Sequence, residues 1–343
     1  MDRLPTVSII TPTFNSARTL GGALEALAAQ DYPVAKLELV VADGGSSDES
    51  VELAEAMRAR GWRVSVHPNP LRTGEAGKAV AARAAAGDVL AFIDSDNLLP
   101  DPGWLRRMVA PFADPKIVAS EPLRYQWRAG DGYITRYCAL VGVNDPLCLW
   151  LGTYDRLSEL TGRWTECRVR VRDRGGWLEV AFGPGPLPTI GANGFMILRK
   201  ELERVGSGDY LFDVDVLADI VAARPEARVA KVKTGIVHLF GSSVRTFYWK
   251  QRRRVDDYFF FRRRRMRTEG RKRVAVEPIV RFVAETWLVA PLVIQALRGY
   301  RRRPDAAWLF HPVAAWITLV AYGLGTIRGL VAPAISDRAK WRG

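Results

Sequence analysis

Val89-Leu90-Ala91-Phe92-Ile93-Asp94-Ser95-Asp96-Asn97 runs five apolar residues straight into two carboxylates that stand one residue apart. A short apolar run between Gly87 and Pro100 reads as a buried strand rather than a helix. In an α/β sheet, ligands bind outside the carboxyl ends of the strands. Two acids at such an end cannot both be buried and uncompensated, because isolated buried charge is costly. A divalent cation such as Mg²⁺ or Mn²⁺, which takes carboxylate and phosphate oxygens together, resolves that conflict. A solvated turn after a strand is the alternative, and Asp-x-Asp alone does not decide between them.

The sequence before this strand has the same logic. Thr6–Thr11 is β-branched and apolar, a buried strand closed by Pro12-Thr13-Phe14-Asn15. Residues 19–30 place Leu20, Leu24 and Leu27 on one helical face. Leu37–Ala42 is a second strand ending at Asp43, and Gly44-Gly45-Ser46-Ser47-Asp48 is a turn able to cap a helix over 49–60. Val64–His67 is a third strand, and Gly74–Ala86 holds a helix. Strands alternating with helices at this spacing predict an α/β fold with a mostly parallel, doubly wound sheet. Asp43 and Asp94 then face one crevice. Asp43 can equally cap the next helix, and Lys78 can equally be a solvated helix lysine.

Three motifs in order carry a resemblance: Ser8-Ile9-Ile10-Thr11-Pro12-Thr13-Phe14-Asn15, then Val40-Val41-Ala42-Asp43-Gly44-Gly45-Ser46-Ser47-Asp48, then Phe92-Ile93-Asp94-Ser95-Asp96. Together they resemble the family-two inverting glycosyltransferases, over roughly residues 5–255. The resemblance implies a nucleotide-diphospho-sugar-binding domain of the GT-A type and a divalent metal, Mn²⁺ or Mg²⁺. It implies that Thr11, Pro12, Phe14 and Asn15 border base and ribose, and that Asp43 accepts from a uracil imide. It puts Lys78 towards the donor, Asp94 and Ser95 beside ribose or sugar, and Asp96 on the metal with Asp94 in reserve. Asn193, within Gly191-Ala192-Asn193-Gly194-Phe195, would lie near the donor sugar. His238, at the end of the strand Val229–Leu239, would complete the metal site.

The family usually has a Glu-Asp pair opening a helix, and here the pair reads Phe212-Asp213. Asp213 is therefore the expected general base, with Asp215 the alternative; a helix-capping role for both stays open. Gln251-Arg252-Arg253-Arg254-Val255 resembles the family's Q-x-x-R-W with Val255 in place of Trp. Gln251 and Arg254, three apart, would share a helix face and let Arg254 meet the leaving diphosphate.

Length and charge set the remaining bounds. At 343 residues, 48% of them hydrophobic, the chain can build one large core and an appendage. The net charge is +13, and the excess Arg falls mostly after residue 240, beside apolar runs. That pairing suggests an anionic membrane face rather than nucleic acid, for which no binding module is present. Cys138, Cys148 and Cys167 lack metal-site spacing and are expected to be free thiols. No signal pattern opens the chain, so residues 1–240 are expected on the cytoplasmic side of the cell membrane.

The expected organisation is a catalytic domain over 1–243, a basic aromatic helix over 244–273, membrane-associated helices over 274–335 and a basic tail over 336–343. Trp308–Ile327 is charge-free and long enough to cross a bilayer. Glu277, Arg281 and Glu285, spaced by four, favour an interfacial or partly inserted helix over Pro278–Leu297. The expected reaction moves a sugar from a nucleotide donor, UDP before GDP, to a lipid or lipid-linked acceptor. A polysaccharide or soluble acceptor, and a homo-oligomer, stay open. A sugar nucleotidyltransferase would want a Gly-rich phosphate loop that Pro12-Thr13-Phe14-Asn15 is not. A non-catalytic membrane scaffold would have no need of Asp43, Asp94 and Asp96 together.

Overall fold

The computed structural model describes residues 4–206, 208–211, 213–269 and 276–331. It divides into two compact units: Met1–Leu123 with Arg168–His238, and Arg124–Cys167 with Leu239–Arg342. The basic tail 336–343 lies outside the described residues.

One ten-stranded sheet organises the first unit. Its strands are β1 (Val7–Thr13), β2 (Leu37–Asp43), β3 (Arg63–Pro68), β4 (Val89–Phe92), β5 (Asn97–Leu98), β6 (Ile117–Gln126), β7 (Val169–Asp173), β8 (Trp177–Phe182), β9 (Phe195–Leu198) and β10 (Arg228–His238). The spatial order is β3-β2-β1-β4-β9-β6-β10-β8-β7, with β5 on β10. The four strands on the β3 side pair in parallel, as the alternating pattern predicted. On the other side β4–β9, β6–β9, β8–β10 and β7–β8 are antiparallel. β1, β2 and β4 are buried on both faces and read as apolar runs: Ile9, Ile10, Leu39, Val41, Val89 and Leu90 are all sealed from solvent, whereas β3, at the sheet edge, is only partly buried. β7 alternates charge and apolar residues and is largely exposed.

Helices α1 (Ala17–Ala28), α2 (Ser50–Glu55), α3 (Gly74–Ala84) and α4 (Trp104–Val109) belong to the first unit. α1 buries Leu20, Ala23, Leu24 and Leu27, the predicted stripe. The turn after β2 serves two helices, because Asp48 accepts from the backbone N–H of Ala17 at 3.0 Å and of Ser50 at 3.1 Å. α3 is capped by Thr73 Oγ1, which accepts from Ala76 N at 3.0 Å. It lies so close to β1 that a Cβ at Gly77 would fall 2.7 Å from Pro12 Cβ.

α5 (Tyr133–Val141) and α6 (Leu147–Leu151) belong to the second unit, while α7 (Arg199–Val205) and α8 (Asp213–Ala223) return to the first. The second unit is completed by α9 (Val244–Glu269), α10 (Val276–Leu288), α11 (Ala290–Arg302) and α12 (His311–Val331). α9 and α12 pack at backbone distance: Cβ atoms at Gly325 and Gly329 would meet Val255 at 2.7 Å and Phe259 at 2.3 Å. Here the expected single helix over Pro278–Leu297 is corrected. α10 and α11 bend by 92° at Val289, whose φ is +58°. Pro291 has no N–H to continue a helix through the break, and a β-branched residue at positive φ is held there by its surroundings.

All three cysteines are free, Cys138 and Cys148 are buried, and burial pushes the Cys138 thiol up to about 12. Ala306–Val331 is long and apolar enough to cross a membrane, and α10 with α11 has the composition of a broken or re-entrant span.

Candidate active site

The register of the parallel strands aligns Thr13 with Asp43 and Asp43 with Pro68, so these strand ends share one edge. β1 is the switch point, with β2 on one side and β4 on the other, and Asp94 follows the end of β4. This is the crevice expected of a doubly wound sheet.

On the β2 side the polar groups build a rigid turn. Asp43 Oδ2 accepts from Gly45 N and Ser46 N, both at 2.9 Å, and Oδ1 accepts from Ser46 Oγ at 2.6 Å. Asp43 therefore closes its own turn rather than capping α2, and the turn fixes the orientation of the carboxylate. Asn15 has φ +49° and accepts from Ser47 N at 2.8 Å, locking the loop after β1 to the same turn. A Cβ at Gly44 would lie 3.0 Å from the Phe14 ring, and the Arg72 guanidinium sits 5.3 Å from that ring's centre. Phe14, Gly44 and Arg72 therefore make a platform of ring, bare backbone and cation. Sequence reasoning missed Arg72, and its only signal was position in the loop before α3. Thr11 is buried and donates to Ile93 O at 2.9 Å, binding β1 to the strand that bears the acids.

On the β4 side one residue connects the others. Asn97 is fully buried. Its Oδ1 accepts from Asp94 N at 3.1 Å, and its Nδ2 donates to Asp96 Oδ1 at 3.2 Å and to Asn193 Oδ1 at 3.0 Å. Its backbone pairs with His238 across β5 and β10. His238 Nε2 consequently stands 3.3 Å from Asp96 Oδ2. Asn97 was overlooked in the sequence, although it directly follows the second acid. Asn193 adopts φ +53°, and a Cβ at Gly194 would lie 2.8 Å from Ile236, so this glycine is required by close packing.

Asp96 and His238 come together as predicted. Asp94 does not join them: among the described residues no three His, Cys, Asp or Glu side chains converge at metal-binding range. Asp94 Oδ1 is instead buried without a hydrogen-bond partner in the structure. An orphaned carboxylate oxygen beside an acid–imidazole pair fits a site completed from outside the chain, by a cation and ligand hydroxyls. Ser95 lies between the two acids at the same strand end.

Lys78 is not a solvated helix lysine. It is buried, with its ammonium 5.9 Å from the centre of the Phe92 ring, which stacks on Phe195. A second buried cation was also missed: Lys231 Nζ meets Glu121 Oε2 at 2.5 Å with both side chains sealed from solvent. Glu121 Oε1 accepts from Gly191 N at 3.1 Å, so the pair anchors the loop bearing Asn193. A lone Glu in Ile117–Leu123 and a lone Lys in Val229–Val232 were the available signal, because buried charges come paired.

α8 begins at Asp213, whose side chain lies outside the described residues, as does Phe212. Asp215 sits in the first turn and is partly buried. The approach to α8 is tied to α3: Leu211 N donates to Glu75 O at 3.0 Å and Tyr210 Oη to Glu75 Oε2 at 3.2 Å.

Gln251 and Arg254 belong to the second unit and do share a helix face, with Arg254 Nη1 donating to Gln251 Oε1 at 2.7 Å. Both also donate to Asn144 O, at 2.8 Å and 3.0 Å. In this structure they fasten α9 to the loop before α6. The Arg-rich run beyond Phe260 is helical to Glu269, and its side chains lie outside the described residues.

A four-strand parallel half-sheet with a switch-point crevice, continued by antiparallel strands that return Asn193 and His238 to the same acids, defines a GT-A type nucleotide-sugar transferase fold. Mannosyltransferase PcManGT from Pyrobaculum calidifontis, solved in complex with GDP-Man and Mn²⁺, shares the fold with a TM-score of 0.56 over 96% of this chain and 88% of that one, at 18% identity. Residues 8–137 match the family model Glycosyl transferase family 2. This match is shorter than the 5–255 span of the motif resemblance, because it stops before Asn193 and His238.

Glycosyltransferase AglE of Haloferax volcanii is 32% identical over 108 residues, 31% of this chain and 35% of that protein. Poly(ribitol-phosphate) beta-N-acetylglucosaminyltransferase TarS of Staphylococcus aureus is 34% identical over 94 residues, 27% of this chain and 16% of that protein. The matched stretch thus spans about a third or less of these relatives' lengths.

Proposed function

We propose that this protein is a metal-dependent inverting glycosyltransferase that moves a sugar from a UDP-sugar to a lipid or lipid-linked acceptor at the cytoplasmic face of the cell membrane. The observation that carries the reading is the switch-point cluster: Asp96 and His238 at 3.3 Å beside the orphaned buried oxygen of Asp94. Asp96 and His238 would hold Mn²⁺ or Mg²⁺, which when bound neutralises the donor diphosphate. Asp43, held by its own turn, would accept from the base, with the Phe14–Arg72 platform beneath it. Asp94 and Asn193 would position ribose and sugar.

The acceptor hydroxyl attacks the anomeric carbon as the bond to the diphosphate oxygen breaks. The bonding electrons leave with UDP, and Asp213 takes the hydroxyl proton. Lys78 is the chain's candidate for charge developing on the nucleotide. Membrane association is supported by the apolar length of Ala306–Val331 and by exposed Trp287, Leu288 and Leu297 on α10 and α11. The reading of a GDP donor is favoured by one observation, the GDP-Man bound in the similar-fold PcManGT structure.

The test is nucleotide release from a panel of UDP- and GDP-sugars with Mn²⁺, with and without a membrane lipid extract. Release of UDP that requires lipid, with label appearing in the organic phase, is the expected result. Release from GDP donors alone would correct the nucleotide, and lipid-independent transfer to a soluble acceptor would overturn the lipid assignment.

A further inference from the structure

The second unit holds a cavity of about 470 Å³ formed by α6, α10, α11 and the segment after α6. Arg281, Arg298, Arg301 and Arg302 line it, with Leu149, Trp150 and Leu160 as its apolar lining. The arginine clustering follows from helix geometry: residues 298, 301 and 302 are spaced i, i+3, i+4 and lie on one face of the last turns of α11. Arg302 is fixed by donating to Leu160 O at 2.5 Å.

One carboxylate adjoins the cluster. Glu285 Oε2 accepts from Trp150 Nε1 at 2.9 Å and Gln295 Nε2 at 2.8 Å, while Oε1 stands 3.6 Å from Arg281 Nε. Glu285 thus accepts two hydrogen bonds and forms an ion pair with Arg281. Among the described residues no carboxylate is within ion-pair range of Arg298, Arg301 or Arg302. Three guanidiniums converging without an acid, each with a planar fork of donors, suit a dianionic phosphate. The adjoining surface is greasy: Val293, Ile294 and Leu297 on α11 and Val280 and Trp287 on α10 are exposed. A cationic pocket opening beside an apolar face matches an amphiphile better than a free polar anion or a nucleic acid.

We infer that this cavity binds the phosphate headgroup of an anionic membrane lipid, a phosphomonoester in preference to a diester, with the first methylenes of the lipid along Leu149, Trp150 and Leu160. The site is independent of the donor reading, since it uses none of the residues at the sheet. The shared chemistry is a phosphate dianion, and free phosphate is the competing source.

The test is flotation of the full-length chain with phosphatidylcholine vesicles containing either phosphatidic acid or charge-matched phosphatidylglycerol. The wild type should bind the phosphatidic acid vesicles about tenfold more tightly, the worth of a charge-assisted hydrogen bond. Arg298→Lys with Arg301→Lys keeps the charge but not the fork, and should erase that preference while retaining general anionic binding. Binding that follows vesicle charge alone, or a lysine variant that keeps the preference, would overturn the site. Displacement from phosphatidic acid vesicles by inorganic phosphate, at concentrations where chloride has no effect, would overturn the lipid assignment in favour of free phosphate. Resistance to phosphate supports the lipid.

Discussion

Replacing Asp96 with Ala is expected to lower sugar transfer by about 10²–10³-fold, the scale of losing one preorganised electrostatic element at a reacting centre. Asp96 faces His238 across 3.3 Å and is oriented by Asn97 at 3.2 Å, so both the ligand and its support are present without any donor bound. Its side chain is about one-fifth exposed (22%), at the end of a strand rather than within the core, so the fold should survive. Asp96→Asn is the sharper comparison, because it keeps the shape and removes the charge. Steady-state rates together with a thermal melt decide the matter. A folded Asp96→Ala protein with near-wild-type transfer would remove Asp96 from the site.

The second large effect concerns the proton. Asp213→Asn should lower kcat by about 10²–10⁴-fold, the usual worth of a positioned general base, while leaving donor affinity unchanged. Asp213 opens α8, and the segment just before it is pinned to Glu75 through Tyr210 and Leu211. The acid is therefore presented on a fixed helix end rather than a free loop. Asp215→Asn, in the same first turn, is the matched control and should cost far less. Loss in Asp215→Asn instead would exchange the roles. If neither substitution slows transfer, the acceptor brings its own ionised oxygen, as a lipid phosphate would.

The parallel half of the sheet was legible because β1, β2 and β4 are apolar runs buried on both faces, with Pro12, Asp43 and Asp94 at or just beyond their ends. Asp43, Asp94 and Asp96 stood out for the same reason: acids directly after such runs have a physical conflict to resolve. The antiparallel half was harder. β6, β9 and β10 are brought together by pairings between residues such as Ser120 and Met196, and no local pattern announces a partner so distant in the chain. Asn97 was hidden because an amide next to an acid reads as a turn residue. Its role depends on Asn193 and His238, which arrive from elsewhere in the sequence. The bend at Val289 was hidden too, since a valine at φ +58° runs against local preference and only packing can impose it. Lys78 looked solvated because helix lysines usually are, and its burial over Phe92 follows from how tightly α3 sits on β1 at Gly77.

The most direct measurement is calorimetric titration of UDP into the full-length chain, with and without Mn²⁺, for the wild type and Asp96→Ala. A cation shared between Asp96, His238 and a diphosphate predicts tight UDP binding that requires Mn²⁺ and is lost in the variant. UDP binding that is indifferent to Mn²⁺, or that survives Asp96→Ala unchanged, would contradict a metal-held donor at this strand end.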